Sequence, residues 1–349
     1  MLAQFARAAG YKPLVIDFFA DTDTCQLAHE VRKVKSFQYQ ELAAAVADFQ
    51  VKYPVQWVVY GSGIETEPDS LDILAGRLKL LGNCSAVYRQ LEDKQAFFHT
   101  LALLHIDFPE VVFTAPETDG RWLLKPRRHQ GGDGIRFYTE ETVIFQHDYW
   151  QKFIAGDAMS VLFVADGVNV RLLGYQKQWS ARIPGKQYFL FSGILNHAAL
   201  SLQNRMLLRA WVEKLVKNYA LKGLNSLDFM CCRGRCFCLE INPRPPASMM
   251  LYEDPVWLAH VRGCQGELPE FDVMCKQHKG YQVIYADNDM TVPAAICWPE
   301  WSQDRPSPGA GIRAGEPVCS VIASGNSEQQ VLKQLQARQQ SVLSQLKGN

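Results

Sequence analysis

The chain has 349 residues, 48% of them hydrophobic, which is more than one ordinary domain requires and enough for the cores of two or three packed units. Lys+Arg and Asp+Glu both number 36, so the formal net charge is zero and nothing in it requires a nucleic acid or an anionic membrane as partner. No apolar stretch reaches the length of a membrane-spanning helix, and the opening Met1-Leu2-Ala3-Gln4-Phe5-Ala6-Arg7 does not read as a secretory signal, so a cytoplasmic protein is expected.

The chain opens on a helical segment, residues 2–9, stopped by Gly10. Residues 13–19 read as a buried strand ending in the polar Asp21-Thr22-Asp23-Thr24. Residues 41–49 are helical in composition, 57–60 form a second strand, and the loop Gly61-Ser62-Gly63 follows. Residues 69–81 predict one amphipathic helix closed by Gly82-Asn83. Strands alternating with helices imply a doubly wound parallel sheet over residues 1–90. Such a unit normally opens on a strand, so a further strand upstream of Met1 is expected.

From about residue 121 the texture changes to short strands and tight turns. Residues 122–125 and 135–138 flank a glycine-rich loop, and 159–165 and 168–173 are joined by Asp166-Gly167, a hairpin signal. Leu207, Leu208, Trp211, Leu215 and Tyr219 recur at helical spacing. Residues 226–232 and 236–241 predict a second hairpin turning at Arg233-Gly234. Its cysteines, Cys231, Cys232, Cys236 and Cys238, lack a CxxC pair and a second ligand cluster, so they read as small apolar strand residues and not as a zinc site. Beyond Gly263, strands at 281–286 and 317–323, a Pro/Gly-rich stretch and a polar helix at 327–346 predict a small β-rich domain over 264–349. The ten cysteines are thinly spread, and reduced thiols are expected.

Three elements carry chemistry. Glu240 and Asn242 are two residues apart on a predicted strand and share a face, and Asp228 on the paired strand can face them. Three such oxygen donors suit Mg²⁺; a solvated strand end is the plain alternative. Lys125 ends a strand and leads into Gly131-Gly132-Asp133-Gly134, where glycines let backbone N–H groups approach phosphate oxygens; a hairpin loop is the plain alternative. Gln151-Lys152-Phe153-Ile154-Ala155-Gly156-Asp157 is a short apolar strand between two halves that can meet a purine edge, with Gln151 reading the exocyclic amine. His129 reads as a loop residue. There is no GxxxxGK[ST] loop, no complete dinucleotide fingerprint at residues 61–66, no HExxH and no GxSxG.

In this order, over about residues 91–263, these elements resemble the ATP-grasp superfamily. The resemblance implies an α/β plus α+β architecture in which residues 1–90 precede an ATP-grasp domain of two α+β subdomains, hinged near 151–156. It implies ATP and Mg²⁺ (with Mn²⁺ as a substitute). Lys94 and Lys125 resemble the phosphate lysines, and Gly131, Gly132 and Gly134 the phosphate loop. Gln151, Lys152, Phe153 and Ile154 resemble the adenine hinge, and Asp228, Glu240 and Asn242 the metal ligands. The ribose glutamate of many members is Ala158 here, with Asp157 adjacent. ATP would phosphorylate a carboxylate, and an amine would displace the phosphate; Arg244 and Arg182 are the residues expected to stabilise the acyl phosphate.

The segments Val15-Ile16-Asp17-Phe18-Phe19-Ala20-Asp21-Thr22-Asp23-Thr24, Asp304-Arg305-Pro306 and Pro317-Val318-Cys319 look like a subgroup related to tyramine–glutamate ligase. That resemblance implies a glutamate-type carboxylate and an aromatic amine or amino acid, in a methanofuran-like cofactor pathway linked to one-carbon metabolism. A carboxylase or phosphotransferase of the same fold, and a nucleotide-binding module without turnover, are the alternatives. Small-molecule substrates are the expected partners, with a homodimer as the commonest assembly.

Overall fold

The N-terminal segment alternates helix and strand: α1 (Leu2–Ala8), β1 (Leu14–Asp17), α2 (Thr22–Leu27), β2 (Glu30–Lys33), α3 (Tyr39–Lys52), β3 (Trp57–Val59), α4 (Ser70–Arg77) and β4 (Lys79–Leu81). The computed structural model describes residues 1–117, 121–127, 130–139, 141–183, 187–253, 255–270, 275 and 277–347, the side chains of Arg182, Gln187, Tyr188 and Lys347 excepted. His129 lies outside them.

Strands β1–β2 and β3–β4 pair in parallel, as the alternation implies, but as two separate pairs rather than one continuous sheet. One expectation is corrected. The single helix over 69–81 breaks at Leu78, after which residues 79–81 pair with β3. Leu78, Leu80 and Leu81 satisfy a helical stripe and a buried strand equally, so periodicity cannot separate the two over so short a run. The charged Glu30-Val31-Arg32-Lys33 forms a strand that composition conceals.

Two helices, α5 (Ser85–Glu92) and α6 (Lys94–Leu103), lead into the middle region; the Asp93 side chain caps α6 by accepting from the Ala96 N–H at 3.1 Å. Next come β5 (Val111–Val112), β6 (Trp122–Lys125), β7 (Arg136–Phe137) and β8 (Tyr149–Lys152), an antiparallel sheet in the order β5-β8-β6-β7. Then follow β9 (Asp157–Asp166), β10 (Val170–Ile183), β11 (Gln187–Asn196), α7 (Leu202–Tyr219), β12 (Lys222–Cys232), β13 (Arg235–Asn242) and α8 (Pro255–Cys264). The Asp166 carboxylate accepts from Val168 and Asn169 N–H groups and closes the β9–β10 turn. Helix α7 buries Leu208, Trp211, Val212, Leu215, Val216 and Tyr219, while Leu207, expected on that stripe, is exposed.

The C-terminal segment adds β14 (His278–Tyr285), β15 (Met290–Thr291), β16 (Ser302–Gln303), β17 (Gly311–Ile312), β18 (Pro317–Gly325) and α9 (Glu328–Lys347). Strands β14, β18 and β16 extend the same sheet as β9–β13, giving the order β13-β12-β9-β10-β11-β14-β18-β16. Helix α9 seals this end by burying Val331, Leu335, Val342 and Leu346 against Ile284, Val318 and Val321. Each fully buried aliphatic side chain of this kind contributes roughly 1.5–3 kcal/mol. Among the described residues no helix is long and apolar enough to cross a membrane.

Candidate active site

A cleft of about 1040 Å³ is lined by residues of the four-stranded sheet and of β9–β13. Asp228, Glu240 and Asn242 all line it. The register explains why. Asp228 pairs with Glu240 and Ser226 with Asn242 across β12 and β13, so the three side chains share one face of the hairpin. Asn242 Nδ2 donates to Asp228 Oδ2 at 3.1 Å and to Ser226 Oγ at 3.3 Å. Gln178, on β10, donates through Nε2 to Asp228 Oδ1 at 3.3 Å.

Burial and the facing Glu240 carboxylate push the Asp228 carboxyl up to about 7, against the pull of the Gln178 and Asn242 hydrogen bonds and of Arg244. Two carboxylates held face to face resist joint ionisation unless a cation lies between them. Two carboxylates and one amide make a hard oxygen set that fits Mg²⁺. Among the described residues no group of three or more His, Cys, Asp or Glu side chains is placed to hold a metal ion.

Lys125 ends β6 at the cleft wall, only 5% exposed, and its ammonium donates to Gln151 Oε1 at 3.2 Å. Burial lowers its pKa; Glu240 and Asp228 oppose that, and Lys94 adds to it. Lys94 opens α6, half-buried, with its ammonium 5.7 Å from the Phe97 ring centre. It does not line the cleft, but its charge is felt at Lys125.

Gly131 and Gly132 line the cleft, and Gly134 lies just beyond. The loop rests on β11: the Phe191 N–H donates to the Gly131 carbonyl at 2.7 Å. At Gly132 φ is +80°, and a Cβ would sit 1.9 Å from the Phe189 carbonyl oxygen, so only glycine fits.

Gln151, Lys152, Phe153, Ile154 and Asp157 all line the cleft. Gln151 is buried. Lys152 turns outward, its ammonium 3.1 Å from Glu110 Oε2 and 5.5 Å from the centre of the Trp122 ring. The backbone N–H groups of Lys152 and Phe153 donate to the Glu110 and Arg121 carbonyls. The Phe153 ring joins Phe137 and Phe189 in an aromatic cluster, with the Arg121 guanidinium 4.5 Å from its centre. Gly156 brings this segment against β12, where a Cβ would meet the Cys231 carbonyl oxygen at 2.4 Å. Asp157 opens β9, exposed at the rim.

Arg244 lines the cleft just beyond β13 and is nearly buried; its Nε donates to Glu65 Oε1. Burial lowers the guanidinium pKa, but the Glu65 carboxylate outweighs it, so the net shift is upward and the group stays charged. Arg182 belongs to β10, and its side chain lies outside the described residues.

Sequence reading missed three residues here. Glu65 comes from the N-terminal segment and is visible only in three dimensions. Ser248, in the turn Ala247–Leu251, is buried in the cleft wall, its hydroxyl without a partner among the described residues. Gln178 had a signal: Gln176, Gln178 and Ser180 alternate along one strand. The hairpin cysteines sit as expected in β12 and β13, with Cys231 facing Cys236 and Cys238 buried; all ten are free thiols.

Residues 91–248 match the family model of an ATP-grasp domain. No curated protein is similar to the chain in sequence. Among solved structures, the biotin carboxylase domain dimer of 2-oxoglutarate carboxylase from Hydrogenobacter thermophilus, in complex with MgADP, ADP and bicarbonate, aligns with a TM-score of 0.74 at 13% identity, covering 97% of this chain and 86% of that one. N5-carboxyaminoimidazole ribonucleotide synthetase from Thermus thermophilus aligns with 0.71 at 17% identity, covering 99% and 95%. The biotin carboxylase–βγ-ATP complex from Campylobacter jejuni aligns with 0.71 at 14% identity, covering 96% and 87%. Likeness at such identities shows the fold, and the fold of this chain is the ATP-grasp fold.

Proposed function

We propose that this chain, an ATP-grasp fold with a lysine, a glycine loop and an acidic hairpin around one cleft, is an ATP- and Mg²⁺-dependent ligase that joins a carboxylate to an amine through an acyl phosphate. The observation that carries the reading is the register of β12 and β13, which sets Asp228, Glu240 and Asn242 on one face of the cleft that Lys125 also lines. Mg²⁺ held there would offset the charge of the nucleotide phosphates. Lys125 and Lys94 supply two further positive charges, and Gly131 and Gly132 allow close approach of the backbone. Arg244 keeps its charge at neutral pH and orients the substrate carboxylate. Phosphoryl transfer between two anions needs this neutralisation and positioning more than it needs a protein nucleophile.

The substrate reading is glutamate joined to an aromatic amine or amino acid in a methanofuran-like cofactor pathway, and it rests on the resemblance of residues 15–24, 304–306 and 317–319. One contact supports treating these segments as a unit: the Asp23 carboxylate accepts from the Asp304 and Arg305 backbone N–H groups at 3.0 and 2.8 Å. Residues 1–90, 91–263 and 264–349 remain the proposed divisions of the chain, acting in the cytoplasm as a homodimer. A second reading is carboxylation, in which bicarbonate is the phosphorylated acid; the fold likeness to a carboxylase domain bound to MgADP and bicarbonate favours testing it.

The test is an ADP-release assay with Mg²⁺, ATP and a panel of carboxylates, bicarbonate and amines. ADP formed only with glutamate and an amine together supports the ligase. ADP formed with bicarbonate and no other acid selects the carboxylase, and phosphorylation of a hydroxyl compound without any carboxylate overturns both.

A further inference from the structure

The run of chain that leaves β13 carries two hydrogen-bond donors with capacity to spare. Arg244 is nearly buried, and among the described residues it makes a single hydrogen bond, from Nε to Glu65. Its two terminal nitrogens, with four N–H groups between them, remain for a ligand. Four residues on, in the turn Ala247–Leu251, Ser248 is 1% exposed and its Oγ has no partner among the described residues. Both residues line the cleft. Four residues of fully extended chain reach at most about 14 Å, so the two serve one end of it.

A buried serine hydroxyl ordinarily finds a nearby backbone carbonyl. In this turn the Pro246 and Met249 carbonyls accept from the Met249 and Tyr252 N–H groups, and the Ser248 hydroxyl joins neither. Its neighbours Met249, Met250 and Leu251 belong to an apolar cluster. Alanine would suit that surrounding better, since an unmet buried hydroxyl is costly; the missing partner is a ligand in the cleft.

A hydroxyl can donate or accept, and the local charge settles which. Arg244 keeps its positive charge, while Glu65 is already engaged by Arg244 and by the Gly63 N–H. An ammonium set against this guanidinium is repelled. A carboxylate gains both the guanidinium and the hydroxyl.

We propose that Ser248 is a binding residue for the acid substrate, donating to the carboxylate that Arg244 holds. The inference rests on the ligase reading above and deepens it, because it gives the carboxylate subsite a second donor and keeps the amine substrate out of it.

The test compares the full-length wild type with Ser248→Ala and Ser248→Cys. Binding is read with MgADP present, as the rise in thermal midpoint on adding glutamate or, separately, tyramine as the aromatic amine. Turnover is read as ADP release with MgATP and both substrates. A hydrogen bond to a charged group is worth about a tenfold factor or more. Ser248→Ala should therefore bind glutamate about tenfold more weakly and raise KM for glutamate likewise, with KM for ATP and the response to tyramine unchanged. Without ligand its midpoint should equal or exceed that of the wild type, because no bond within the protein is lost. Cysteine, similar in size and a weak donor, should fall between the two. An unchanged KM for glutamate, a midpoint that drops in the absence of ligand, or a loss that falls on tyramine instead overturns the inference and leaves the ligase reading standing. Absence of ADP release by the wild type with glutamate and tyramine overturns the glutamate ligase reading, and this inference with it.

Discussion

Glu65 and Arg244 stand 179 residues apart and meet as an ion pair in which both side chains are largely shielded, at 20% and 10% exposure. Glu65 is itself held, because its second oxygen accepts from the Gly63 N–H at 2.7 Å. The N-terminal segment therefore sets the direction of the arginine assigned to the substrate carboxylate. Removing one partner of a buried pair leaves an uncompensated charge and costs about 3–5 kcal/mol. Glu65→Ala is expected to lower the denaturation midpoint and to raise KM for the carboxylate more than KM for ATP. Glu65→Gln, which keeps an acceptor, should recover much of both. Equal effects of the two variants on both KM values would refute the positioning role.

The metal face is tested by Glu240→Gln. The amide preserves shape but removes one charge from the oxygen set and turns one acceptor into a donor, so turnover should nearly disappear while circular dichroism and the thermal midpoint stay close to wild type. Full activity in this variant removes the metal assignment.

Gly132→Ala probes the loop. The added Cβ conflicts with the Phe189 carbonyl oxygen and with a φ of +80°, strain of about 1–3 kcal/mol if the loop holds its place. The loop is expected to lift from β11, and ATP affinity to fall roughly tenfold. Unchanged affinity would show that the contact with β11 has no part in nucleotide binding.

A pH effect is expected at Asp21, which is not among the residues lining the cleft. Burial, then the charges of Asp304, Asp17 and Asp23, push the Asp21 carboxyl up to about 7. The folded pKa lies above the unfolded one, so folding takes up a proton between about pH 4 and pH 7, and the stability this contributes is lost as pH rises through that window. Asp21→Asn should therefore raise the urea midpoint relative to wild type at pH 8 and leave it nearly unchanged at pH 4. A difference of the same size at both pH values would exclude the titration of Asp21 as the cause.

The oxygen-donor face was legible in the sequence because a strand places alternate residues on one side, and one hairpin supplies all three groups. Lys125 and the glycine loop were legible because they are consecutive in the chain. Glu65 was not, since an ion pair between distant segments leaves no spacing to read. Strand β2 was not, because Glu30 is half-buried while Arg32 and Lys33 are exposed at the edge of a two-stranded pair. The extent of the large sheet was hidden for a related reason: apolar alternation identifies β14 and β18 as strands, but not the neighbours with which they pair.

That shared sheet bears on where the chain can be cut. Gly193, Ile194 and Leu195 of β11 pair with Gln282, Tyr281 and Gly280 of β14. A truncation after residue 263 would strip β11 of its neighbour and bare a row of unpaired amides next to the apolar Ile194 and Leu195, a template for intermolecular strand pairing. Residues 1–263 are thus not a detachable module, and expressed alone they should aggregate rather than persist as a soluble monomer.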